Sequence, residues 1–423
     1  MIFFILGSHS ELSIAELKAV LGNSYRPVFV SASVVVIEAL DRNLDDLQER
    51  LAGIVKVGHV AGELTSWNKA EAADLIASLA GGATGKNKIS FGLSVYDVGD
   101  KKQTRFLERD LDQLGLEVKK RLKQTGRPIR YVKGKEPRLS SAIVETNGLL
   151  ASGGEFVLLA CHSPKGDGGL ITAEKILIGQ TQAIQNFKAW SVRDYGRPAR
   201  DAKNGMLPPK LARMMINLAG IDPRGASLLD PFCGSGTVLM EAALMGCETI
   251  IGSDISHKAV ADTTKNMKWL TQHFGITLPG LSLHATSAAE LPTIHSMPVD
   301  LLVTEVFLGT PRVKTLDSAE AHRLESELLP LFRKSFDSLA TLLSSDSRAV
   351  VAFPAYKKTR LRPSAVAEAM ADESGYGGQE DGAWHRLPLK SLLESLGYKV
   401  IDTYLYARPD QFVARDIYVL TRK

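Results

Sequence analysis

Apolar residues occur in short unbroken runs and in helix-spaced stripes, and the two kinds of segment alternate along the chain. Ile2 to Leu6 is a run of strand length, and behind it Ser10 and Glu11 introduce Leu12, Ala15, Leu17, Ala19 and Val20, which predict a helix. A β-branched run from Val28 to Ile37 predicts another strand, and Leu44 to Leu51 another helix. This order is the start of a ferredoxin-like α+β unit, expected over residues 1–60. From Lys88 the pattern predicts strand Ile89 to Val95, a helix near Glu108 to Gln124, and strands Ile129 to Val132, Ala142 to Thr146 and Glu155 to Cys161. These make a second α/β module over residues 61–168, ending in a Gly- and Pro-containing turn, Ser163 to Gly169, with residues 169–200 as a linker.

The last part, residues 201–423, reads differently. Pro208 and Pro209 can start a helix because its first N–H groups are unpaired anyway, and Leu211, Met214, Met215 and Leu218 form its apolar stripe. Strands Ala226 to Asp230, Glu248 to Gly252, Val299 to Thr304 and Ala349 to Ala352 follow, with a helix from Thr237 to Met245 after the first of them. Tyr404 to Tyr406 and Arg415 to Leu420 predict a closing antiparallel hairpin. Strands alternating with helices predict a doubly wound, Rossmann-like α/β sheet.

With 423 residues, 44% of them hydrophobic, the chain can fill two or three cores. No run approaches the ~20 apolar residues of a membrane span, and the apolar start lacks the basic region of a signal peptide. Three cysteines without metal-ligand spacing predict a reducing, cytoplasmic setting, no disulfide and no metal site. The net charge of +4 is unevenly placed: residues 101–138 carry thirteen Lys/Arg against five Asp/Glu, so the remainder is net acidic. Glu108 to Lys123 reads as a solvated helix face. Arg127, Arg130, Lys133, Lys135 and Arg138, interrupted by Pro128, Gly134 and Pro137 and set around Tyr131, suit phosphate contacts. A second basic aromatic loop, with Lys357, Lys358, Arg360 and Arg362, follows the strand at Ala349 to Ala352 and is a further candidate for RNA contact.

The most informative segment is Asp230-Pro231-Phe232-Cys233-Gly234-Ser235-Gly236-Thr237, between a predicted strand and a predicted helix. Gly234 and Gly236 tolerate positive φ and let a ligand approach the backbone at a helix start. Asp254, at the end of the next strand and about twenty residues beyond the turn, is placed to grip ribose hydroxyls. Dehydrogenases use nearly the same device, whereas a phosphate-binding P-loop would need Lys-Ser/Thr after the glycines. The wording of the segment resembles the cofactor motif of class I S-adenosylmethionine-dependent methyltransferases, in the branch that includes the THUMP-domain tRNA guanine-N2 methyltransferases. The opening Phe4-Ile5-Leu6-Gly7-Ser8-His9-Ser10-Glu11-Leu12 is similar to the segment ahead of THUMP in those enzymes, Leu139 to Leu149 to a late THUMP strand and turn, and Arg193 to Asp201 with Gly205 to Ala212 to the start of their catalytic domain.

The resemblance implies S-adenosyl-L-methionine as cofactor, held by Asp230, Gly234, Gly236 and Asp254, with Thr286 or Ser287 near the adenine amine. That branch places Asp or Asn, two prolines and an aromatic at the end of the fourth strand. Here the segment is Glu305-Val306-Phe307-Leu308-Gly309, without the prolines and with the aromatic one position earlier. The resemblance implies that Glu305 accepts a hydrogen bond or proton from the substrate amine and that Phe307 stacks on a flipped base. It further implies tRNA as partner, methylated on guanine N2 near the D-arm, and it allows an activating protein subunit. Another base amine such as adenine N6, or tRNA binding without turnover, stays open.

Overall fold

The computed structural model describes residues 1–82, 88–162, 174–200, 206–278, 280–359 and 383–423, in two compact units, Met1–Ser191 and Val192–Lys423. The expected turn at Ser163 to Gly169 lies outside these residues, as do Asp201, Gly205, Arg360 and Arg362. No described helix is long and apolar enough to cross a membrane.

The first unit runs β1 (Ile2–Leu6), α1 (Ser10–Leu21), β2 (Pro27–Val30), β3 (Val34–Ile37), α2 (Leu44–Arg50), β4 (Ile54–Leu64), α3 (Lys69–Gly81), β5 (Ile89–Val98), α4 (Lys101–Leu122), β6 (Ile129–Val132), α5 (Ser141–Thr146), α6 (Leu149–Ser152), β7 (Gly153–His162) and β8 (Glu174–Ile184). Then α7 (Phe187–Tyr195) carries the chain past Ser191. The sheet order is β2-β3-β1-β4-β8-β7-β5-β6. Its first four strands pair antiparallel in ferredoxin-like order, which completes the unit whose opening strand, helix, strand and helix the segment pattern predicts; β4 lies beyond that reading. The run from Val28 to Ile37 is not one strand but the hairpin β2–β3, because the Ser31 hydroxyl accepts from Ser33 N (3.2 Å) and Val34 N (3.0 Å) and turns the chain.

Two expectations change here. The boundary at residue 60 falls inside β4, whose edge pairs with β8 from Lys56↔Ile184 to Leu64↔Ile176. An unpaired β4 edge would leave a row of N–H and C=O groups open, and β8, from the expected linker, closes it. Ala142 to Thr146 is helical, not extended: the Ser140 hydroxyl accepts from Ile143 N at 3.3 Å as an N-cap, and Val144 is buried beside Leu139 and Leu149.

The second unit runs α8 (Pro209–Leu218), β9 (Ser227–Asp230), α9 (Thr237–Leu244), β10 (Thr249–Asp254), α10 (His257–Phe274), β11 (Gly280–Ala285), β12 (Val299–Glu305), α11 (Ser318–Leu339), β13 (Leu343–Lys357), β14 (Trp384–Arg386), α12 (Leu389–Ser395), β15 (Tyr398–Tyr406) and β16 (Val413–Arg422). In the order β11-β10-β9-β12-β13-β16-β15 the first five strands are parallel, β16 is antiparallel to both its neighbours, and β15 therefore runs with the first five. One core lies under α11, where Phe332 and Phe336 meet Phe353 of β13 with ring centroids 5.2 and 5.4 Å apart. Strand order reverses between β9 and β12, and a cleft opens beyond their carboxyl ends.

Candidate active site

A cavity of about 970 Å³ occupies that cleft, entirely within the second unit. One wall is the turn after β9. Gly234 (φ +51°) and Gly236 (φ +83°) take the left-handed conformation, and a Cβ on Gly236 would come within 2.9 Å of Thr263. Helix α10 locks this turn from behind. Thr263 Oγ1 donates to the Gly234 carbonyl (2.8 Å), and Asn266 Nδ2 donates to the carbonyls of Ser235 (2.8 Å) and Ala199 (2.9 Å). Cys233 is a buried packing residue whose thiol burial pushes far above its usual range, which argues against a nucleophile.

Asp254 ends β10 and lines the cavity. Its carboxylate accepts from Gly234 N (3.0 Å) and Ser256 N (2.9 Å), one bond to each oxygen, so lone pairs remain for a diol. Asp230, 2% exposed at the end of β9, accepts on Oδ1 from Thr304 Oγ1 (2.6 Å) and Phe232 N (3.2 Å). Burial pushes its carboxyl up to about 7 against those two hydrogen bonds, and the charges of Asp254 and Glu305 add to the rise. Thr286 does not line the cavity, because the chain turns after Ala285; Ser287 and Glu290 line it instead.

The opposite wall begins where β12 ends. Glu305 Oε1 accepts from Arg415 Nε at 2.6 Å, a pair joining β12 to β16 with side chains 16% and 6% exposed. Val306 N donates to Ala352 O (3.1 Å), and the Tyr356 hydroxyl donates to Leu308 O (2.9 Å). Gly309, at φ +82°, leaves room for that hydroxyl, which a Cβ would approach to 2.9 Å. The loop is thus braced without the family's prolines. Phe307, 48% exposed, stands at the cavity mouth.

The basic candidates fall in both units. In the first, Arg127 precedes edge strand β6, Arg130 lies on it, and Lys133, Lys135 and Arg138 follow it, so the five gather at one sheet edge. Lys133 pairs with Asp112 (2.9 Å), Arg138 lies over the Tyr96 ring (5.4 Å), and Tyr131 is spent on the core, stacked 5.1 Å from Phe91. In the second, Lys357 donates to Pro409 O (3.1 Å) and Lys358 is exposed at the end of β13. Sequence reasoning missed Thr263, Asn266, Thr304 and Arg415. Arg415 alone left a signal, as a charge inside a mostly apolar strand.

A parallel sheet in this order, with a glycine turn after its first strand and carboxylates ending that strand and its two neighbours, is the fold of a class I methyltransferase domain, whose cofactor is S-adenosylmethionine. Gly234, which lines the cavity, and a carboxylate with lone pairs to spare fit that cofactor's backbone contacts and ribose, while Gly236 lies behind the lining against Thr263. Residues 197–371 match the RMKL-like methyltransferase domain family UPF0020. The tRNA (guanine(10)-N2)-dimethyltransferase of Methanothermobacter thermautotrophicus is 36% identical over 152 residues, 36% of this chain and 40% of that protein. The enzyme of that name from Methanocaldococcus jannaschii is 45% identical over 103 residues, 23% of this chain and 29% of that protein. The chain thus spans well under half the length of these relatives. A ribosomal RNA large subunit methyltransferase K/L from Shewanella woodyi is 50% identical over 46 residues, 11% of this chain and 6% of that protein. The crystal structure of TrmN from Thermus thermophilus shares the fold over 100% of both chains, with a TM-score of 0.50 and 16% identity.

Proposed function

We propose that this protein methylates the exocyclic N2 of a guanine in tRNA, using S-adenosylmethionine. The observation that carries this reading is the single cavity with two chemically distinct walls: the turn and Asp254 on one side, and Glu305 with Phe307 on the other. The cofactor, when bound, supplies an electrophilic methyl group on a sulfonium. Gly234, Gly236 and Asp254 hold it, and Ser287 and Glu290 take the place expected of Thr286 near the adenine. Glu305 accepts a hydrogen bond from the guanine amine and so draws the nitrogen lone pair out of the ring. Arg415 takes one carboxylate oxygen and holds Glu305 in orientation, with the other oxygen left for the amine. Phe307 offers its face to the extruded base at the cavity mouth.

The basic edge around β6 in the first unit serves as a THUMP-like RNA-binding surface in this reading. The archaeal relatives' names favour tRNA as the substrate. Purified protein with tritiated S-adenosylmethionine and unmodified tRNA transcripts is expected to yield labelled N2-methylguanosine after digestion. Label in N6-methyladenosine, or no label with both ligands bound, would overturn the reading.

A further inference from the structure

Strand β12 ends at Glu305, opposite Ala352 of β13, but β13 runs on for five more residues to Lys357. At strand rise that is about 16 Å of sheet standing past Glu305, on the side where the cavity opens. Strand β16 pairs along this extension as far as Tyr356↔Val413, and the turn from Ala407 to Phe412 that joins β15 to it lies at the tip, where Phe412 O accepts from Lys357 N (2.9 Å). The loop that leaves Glu305 and passes Phe307 is tied to the same tip: Leu316 N donates to Lys357 O (2.7 Å), and Thr359 N to Leu316 O (3.1 Å).

Charge on this extension is unbalanced. The acids at its base are matched, Glu305 by Arg415 and Asp416 by Arg386. At the tip, Lys357, Lys358 and Arg408 have no carboxylate within ion-pair distance among the described residues, and Asp410 is the acid of the turn. Neutral groups hold two of these cations without cancelling their charge: Lys357 Nζ donates to Pro409 O (3.1 Å) and lies 5.9 Å over the Phe412 ring, and Arg408 donates to the Tyr406 hydroxyl (3.1 and 3.3 Å). Side chains already held in place lose less freedom when an anion arrives. Resting on the proposed methylation of tRNA, we infer that Lys357, Lys358 and Arg408 bind the backbone phosphates beside the nucleotide whose base enters the cavity. Flipping turns a base out of the stack about its own backbone, so a base held between Glu305 and Phe307 leaves its phosphates further out, at the height where the raised strands carry their positive charge. Such contacts fix register and orientation without reading sequence, which stays with the Glu305 wall.

The test is filter binding of the full chain to an unmodified tRNA transcript across a salt series, with S-adenosylhomocysteine present. The triple variant Lys357→Gln, Lys358→Gln, Arg408→Gln is expected to bind the RNA about tenfold more weakly and to flatten the log–log salt dependence by about two, the value for three contacts to unpaired phosphates. Its affinity for S-adenosylhomocysteine by calorimetry should match the wild type, which also shows that it is folded, and Arg408→Lys alone should keep the wild-type slope. Ethylating the phosphates beside the methylated nucleotide should impair wild-type binding and have little further effect on the triple variant. Unchanged RNA affinity and slope in the folded triple variant, or interference only at phosphates far from that nucleotide, would overturn the inference. Label on a base other than guanine, with interference still flanking it, would overturn the guanine reading and support the phosphate contacts; a wild type that binds no tRNA would overturn both.

Discussion

Asp254 and Glu305 lie on opposite walls of one cavity, and their separate neighbours make their roles separable. Asp254→Ala removes the acceptor of Gly234 N and Ser256 N as well as the proposed diol contact, so S-adenosylhomocysteine should bind at least tenfold more weakly by calorimetry. Glu305→Ala should lower kcat by about a hundredfold with cofactor affinity little changed; wild-type turnover would refute the role of Glu305. Arg415→Met leaves the half-buried Glu305 without its partner and should cost turnover, with about 1–2 kcal/mol of stability lost in urea unfolding. Asp230 supplies the pH dependence. Its folded value of about 7 lies above the ordinary 3.8, so its contribution to stability is complete below pH 3.8 and is lost as pH rises through 7. Asn cannot ionise, and its Oδ1 can still accept from Thr304 and Phe232. The melting temperature of Asp230→Asn, measured without cofactor, should therefore gain on the wild type between pH 5 and pH 8, and a constant difference would refute the shift. The glycine turn and the place of Asp254 at a strand end were legible in the sequence because each is a local requirement of a turn or a strand end, whereas the Glu305 to Phe307 segment was marked only by its resemblance to the methyltransferase branch. The pairing of Arg415 with Glu305 was not legible, although Arg415 stood out as a charge inside a mostly apolar strand, because the two meet only through sheet pairing 110 residues apart.

Among the elements, α10 does most to hold the turn. Thr263 and Asn266, one helical turn apart, both point at the carbonyls after β9. Gly236→Ala meets a φ of +83° and the Thr263 side chain together, so it should cost 1–3 kcal/mol, roughly the penalty for a strained backbone site, and weaken cofactor binding with it. Thermal unfolding with and without S-adenosylhomocysteine reads both effects. The α5 segment shows the limit of pattern reading in the other direction. A short run holding Ile143 and Val144 looks like a strand, but the Ser140 cap and the burial of Val144 decide for helix.

For the whole molecule, the joined sheet of the first unit has a direct consequence. Residues 1–60 alone cut β4 and remove β8, so that fragment should fail to fold, whereas residues 1–191 should unfold cooperatively by circular dichroism in urea. Folding of the short fragment would restore the expected boundary. If the edge around β6 meets RNA phosphates, Arg130→Ala with Lys135→Ala should weaken tRNA binding and flatten its log–log salt dependence by about one to two units.

The sequence by itself determined what depends on near neighbours: the strand, glycine turn and helix at Asp230 to Thr237, an acid at the end of the next strand, the strand–helix opening of the first unit and the two strands of the closing hairpin. These follow from side-chain periodicity and backbone freedom, which are properties of short segments. The tertiary structure alone decided that β8 completes the first sheet, that Thr286 is passed over for Ser287 and Glu290, and that Arg415 faces Glu305. Each of these depends on which distant strand edge or side chain meets an unsatisfied polar group, and that is settled only when the chain packs.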